Sequence, residues 1–174
     1  MKLKAILNLS ESENVSSEVK TISQEIEEFK KNEQKIQELK ESIKKSLDEI
    51  KKYETANKSL FKRIESGMSA MKLKIVKASE WVAKLETVAK YKRITPNYKG
   101  LWEEALTKVT KNTRALLVSM QNTQKELKSQ ETKQQLTIEG GFSDYWRGLL
   151  SSLKNMFFSI KNFNKSVEEL PEIE

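Results

Sequence analysis

An all-α protein, with a long helix of coiled-coil heptads folding back into a three- or four-helix antiparallel bundle, is predicted by three observations. Five glycines and two prolines in 174 residues are too few turn formers for a loop-rich or β-rich chain. Charged residues make up 33% of the chain and apolar ones only 37%, a balance that suits elongated helices better than a compact core. Above all, a seven-residue apolar repeat runs from Val15 to Ala89 without losing phase.

That repeat defines the first element. With Val15 at position d, the d row continues through Ile22, Phe29, Ile36, Ile43 and Ile50 to Asn57, Ile64, Met71, Ala78 and Leu85. The a row runs from Val19 and Ile26 through Leu47 to Phe61, Met68, Ile75, Val82 and Ala89, with Glu33, Lys40 and Glu54 as polar members. A strand alternates faces every second residue and cannot carry such spacing, whereas a helix offers it as one seam. Ser10 and Glu13 match a capping box and set the expected start, leaving 1–10 as a tail. Two successive polar seam positions, Glu54 and Asn57, allow a turn near Tyr53–Ser59 and four ordinary helices. The unbroken phase favours instead one helix of about 80 residues, some 120 Å long.

The next two elements are bounded by clearer breaks. Pro96 and Gly100 end the first helix near 92 and start another at about 100–136. Its seam is Trp102, Leu106, Val109, Thr113, Leu116, Met120, Thr123 and Leu127. Gly140 and Gly141 precede a third helix over 143–169, with Ser143 as its N-cap. Trp146, Leu150, Leu153, Phe157, Ile160 and Val167 occupy a and d there. Phe142, Leu149, Met156, Phe163 and Leu170 fill the g row. Three apolar rows in seven suit a bundle core, and Phe158 and Tyr145 fall off that stripe. An acidic tail follows over 171–174. The domain organisation expected is thus a coiled-coil extension over 11–56 and a helical bundle over 57–170.

A helix of about 37 residues covers only half of one of 80, so the 11–56 portion would lack a partner within the chain. Ile22, Ile26, Phe29, Ile36, Ile43, Leu47 and Ile50 become the expected oligomer or partner interface, with Glu33 and Lys40 selecting register.

Chemistry is bounded by what the chain lacks. There is no cysteine and no histidine, which removes thiolate chemistry and the commonest general base and metal ligand. No phosphate-cradling glycine loop occurs, and adjacent carboxylates such as Glu103 and Glu104 point in different directions on a helix. No catalytic residue, cofactor or metal site is expected. The amino-terminal stretch lacks a signal-peptide cleavage pattern and no apolar run approaches the ~20 residues that span a bilayer, so a soluble intracellular protein is expected.

Charge is concentrated. Residues 57–100 hold eleven basic and three acidic residues, a net +8 in a chain of net +7. The basic set is Lys58, Lys62, Arg63, Lys72, Lys74, Lys77, Lys84, Lys90, Lys92, Arg93 and Lys99. Lysine dominance suits contact with a phosphate backbone more than base reading. The reading that follows is a non-catalytic structural or adaptor protein that associates with itself or other subunits, as in a virion or another macromolecular complex. The alternative is a sequence-independent nucleic-acid-binding protein using the basic segment. An interfacial membrane protein comes third, with no membrane partner expected.

Overall fold

The computed structural model describes residues 2–51, 58–91, 96–134 and 142–173, with side chains described over 22–49, 62–69, 75–91, 100–129 and 147–173. The described residues form four helices: α1 (Lys2–Lys51), α2 (Lys58–Lys90), α3 (Pro96–Gln134) and α4 (Phe142–Glu168). The chain is all-α, and its helices pack together around one apolar core.

Two boundaries differ from the sequence reading. The first helix begins at Lys2, because nothing between Lys2 and Ser10 breaks a helix and a single capping pair does not end one. Pro96 opens α3 instead of preceding it; proline lacks only an N–H that the first helical turn leaves unpaired anyway. Gly100 then lies inside α3, exposed and with open space beside it.

The larger correction concerns the single 80-residue helix. Lys30 of α1 makes an ion pair with Glu86 of α2 at 2.6 Å, and the Ser79 hydroxyl donates to the Glu33 carboxylate. A straight helix would hold residues 30 and 86 about 84 Å apart. α1 and α2 therefore lie side by side and antiparallel, and residues 22–47 of the expected extension pack within the bundle. A further pairing sets α1 against α3. Arg114 bonds Glu28, and Gln124 donates its amide N–H to the Ser42 and Ser46 hydroxyls at 3.0 and 3.2 Å. Both partners advance together along their helices, so α1 and α3 run parallel.

α4 completes the ring. Asn112 donates to the Asn162 carbonyl and Lys108 pairs with Glu169, which makes α3 and α4 antiparallel. The Trp81 indole N–H donates to the Pro171 carbonyl at 2.8 Å, and Gly67 faces Phe157, so α2 and α4 run parallel. The order around the bundle is α1, α3, α4, α2, with α2 and α3 on a diagonal although they are consecutive in the chain.

Burial follows the heptads. Ile22, Phe29, Ile36 and Ile43 of the d row, with Ile26 and Leu47 of the a row, are at most 4% exposed. Each such side chain contributes about 1.5–3 kcal/mol of transfer free energy. All eight seam residues expected on α3 are buried. On α4 the buried row is Leu149, Leu153, Met156, Ile160, Phe163 and Val167, while Leu150 is 52% exposed. Leu150 lies one residue, about 100°, beyond Leu149, and α4 turns its g side to the core.

Candidate functional site

The seam expected to bind a partner is used by the chain itself. Ile22, Ile26, Phe29, Ile36, Ile43 and Leu47 sit in the common core with α2 and α3 residues, so a partner cannot reach them in this conformation. The side chain of Ile50 lies outside the described residues. The polar a-row members are accommodated at the boundary: Glu33 accepts from Ser79 at 2.5 Å, and Lys40 is half-buried.

Of the basic set, Lys62, Arg63, Lys77, Lys84 and Lys90 are described, and all five are exposed. Lys58, Lys72, Lys74, Lys92, Arg93 and Lys99 lie outside the described side chains. At 100° per residue, Lys62, Lys77 and Lys84 fall within an arc of about 60° on the outward face of α2. Arg63 lies on the flank nearer α4 and Lys90 on the opposite flank. Lys62 and Lys84 stand about 33 Å apart along the axis, so the three cations form a line along one side of the molecule.

The packing of α2 explains why these side chains face outward. Its core side is fixed by Ile64, Met68, Ile75, Ala78, Val82, Leu85 and Ala89, which leaves the lysines on the opposite half-turn. None of the five cations has an ion-pair partner among the described residues. One acidic residue of α2, Glu86, is engaged by Lys30 of α1. Two apolar side chains share the same outward side, Tyr91 at 67% exposure and Val76 at 47%. Periodicity in the sequence already separated the lysines from the core, and Tyr91, an aromatic beside them in the sequence, directly follows α2 just past the last seam residue.

Trp81 belongs to the core, not to this face. It is buried, and its only polar group is satisfied by Pro171, so the residue beyond α4 is held against α2. Leu170 and Ile173 also pack on the core, which ties down a segment read from sequence as a tail. Phe158, off the apolar stripe of α4, is exposed, while the side chain of Tyr145 lies outside the described residues.

Other ionic contacts are surface pairs. Glu169 is held below the usual carboxylate range, chiefly by the hydrogen bond from Lys108; desolvation opposes this, and the charges of Lys108 and Lys165 add to the lowering. The Arg114 guanidinium is raised further by its hydrogen bonds to Glu28. Among the described residues no three His, Cys, Asp or Glu side chains come together to hold a metal ion, and no helix is long and apolar enough to cross a membrane. Comparisons with protein-family models, curated proteins and solved structures find no match to this chain.

Proposed function

We propose that the chain is a non-catalytic helical adaptor that docks within a larger assembly through the outward face of α2. The observation that carries this reading is the line of Lys62, Lys77 and Lys84, exposed and without ion-pair partners among the described residues, flanked by Arg63 and Lys90. The partner fitted to such a line is an acidic protein surface, since the apolar seam that would otherwise join subunits is occupied. Lysines act as point charges, so the contact would be strong at low salt and weak at high salt.

A second reading, nucleic acid, is favoured by one observation: Tyr91 is two-thirds exposed beside Lys90, where a base can stack on its ring. Three phosphate contacts on a single strand would lower affinity about 100-fold for a tenfold rise in salt.

Fluorescence anisotropy with a labelled polyglutamate peptide and a labelled single-stranded oligonucleotide tests both. The adaptor reading expects peptide binding that vanishes in the Lys62→Glu/Lys77→Glu/Lys84→Glu variant and is indifferent to Tyr91→Ala. Oligonucleotide binding at least tenfold weakened by Tyr91→Ala would move the assignment to nucleic acid. No binding of either probe at low salt would remove both.

A further inference from the structure

The buried rows of α1 and α2 share one register. Ile43 and Ile64, both fully buried, are separated by three whole repeats, as are Leu47 and Met68. A hairpin does not require this. Two helices joined by a turn bury whichever faces they like, because a turn a few residues longer or shorter re-aims the second helix at little cost. A shared register is required only when the two segments are one helix, whose seam must stay on one side along its length.

The packing also allows α1 to be exchanged as a unit. α1 lies against α2 and α3, while α4 joins α2 to α3 without its help. Lifting α1 away leaves a three-helix remainder held by α4, with an apolar channel shaped for α1. The occupant that fits this channel without loss is another α1.

We infer that the chain has a second form, a dimer in which α1 and α2 of each copy straighten into one helix and α1 enters the bundle of the other copy. Every contact of α1 is then remade between copies, including Glu28 with Arg114, Glu33 with Ser79, and Ser42 and Ser46 with Gln124. The two forms contain the same core, so concentration and the 51–58 junction set their balance. Glu54 and Asn57, polar at consecutive seam positions, weaken the straight form where the two long helices pass each other. The closed monomer is accordingly the dilute state and the exchanged dimer the concentrated one. This inference uses the core face of α2 and is independent of the docking role given to its outward face.

Spin labels test it directly, since the chain has no cysteine to compete for them. Lys30 and Glu86 are about half exposed, so replacing both by labelled cysteine removes one surface ion pair and little else. The labelled chain is refolded with a tenfold excess of unlabelled protein at high concentration, and monomer and dimer are separated. Pulsed electron–electron resonance on the monomer should give a short distance, and on the dimer about 84 Å. A dimer that keeps the short distance, or the absence of any dimer, would overturn the inference.

Insertions isolate the register itself. Two alanines placed after Lys51 rotate the second segment by about 200° in a straight helix but only lengthen a turn. They should lower the dimer fraction at least tenfold while the monomer keeps its helical circular dichroism. Seven inserted residues, a whole repeat, should leave the dimer in place. Equal dimer from both insertions, or loss from both with the monomer intact, would contradict the role of register.

Discussion

α3 and α2 bury comparable apolar rows, yet they are held differently. α3 has α1 on one side and α4 on the other, both at close backbone approach. That closeness rests on small and polar side chains. Ser42 and Ser46 receive the Gln124 amide, the Thr123 hydroxyl donates to Ser119 O and Ser152 O, and Gly148 leaves room for the Glu126 carboxylate. α2 touches its neighbours more sparsely, across bulky side chains such as Trp81 and Phe157, with close approach marked by Gly67. Equal burial thus coexists with unequal enclosure. α3 is the helix its two neighbours approach most closely, and the one resting on large side chains carries the exposed basic face.

The sharpest way to test this difference is one chemical change made twice. Leu116 of α3 and Leu85 of α2 are both fully buried. Leucine-to-alanine changes in cores cost about 2–5 kcal/mol, the value depending on how far the surroundings collapse into the space left. Leu116→Ala should fall near the top of that range and Leu85→Ala near the bottom, measured by denaturant unfolding. Equal losses would mean that α2 is as tightly enclosed as α3.

Gly67→Ala probes the close point of α2. A Cβ there would lie 2.7 Å from Cε1 of Phe157. Alanine gains about 1 kcal/mol of helix propensity, but displacing the ring costs roughly 1–3 kcal/mol, so a net loss of about 1 kcal/mol is expected. Combining it with Phe157→Leu should recover most of that loss in a double-mutant cycle. A stabilised Gly67→Ala single variant would show that the ring moves aside freely and that the contact does not position α2.

How far these features could be read beforehand differs along the chain. The α3 seam was fully legible because each of its eight positions repeats at helical spacing and α3 faces the core along its length. On α4 the apolar stripe was wider than the buried one, and Leu150 was misassigned because spacing alone does not say which flank a neighbouring helix covers. The fold-back between α1 and α2 was the feature least legible. A seam in unbroken phase is satisfied equally by a long helix and by a hairpin, and only the polar Glu54 and Asn57 hinted that the seam does not run straight on. The basic face was visible as composition, and so was Tyr91 as an aromatic beside it. The pairing of Ser42 and Ser46 with Gln124 was not legible, since nothing in one chain's pattern shows which other helix will satisfy a polar side chain.

A smaller effect is expected at the α3–α4 rim. Glu169 titrates below its ordinary range when folded, so the Lys108–Glu169 pair supports the fold above the unfolded carboxylate value. That support is lost as pH falls through the depressed folded value. The melting temperature of the native protein should exceed that of Glu169→Gln slightly at pH 7, and the gap should narrow as pH falls through the depressed folded value. Added salt should shrink the difference at pH 7, because both partners are solvent-exposed. A gap that does not narrow on acidification would point to packing of Glu169 as its source.

The central claim is that the α1 seam is buried by the chain itself. Amide hydrogen exchange on a dilute sample, shown by light scattering to be monomeric, addresses it most directly. Protection over 22–47 comparable to that of 102–127, with weaker protection over 62–90, is the pattern this structure predicts. Peptide-like exchange over 22–47 in the monomer, becoming slow only as concentration rises, would mean that the seam is open and waits for a partner.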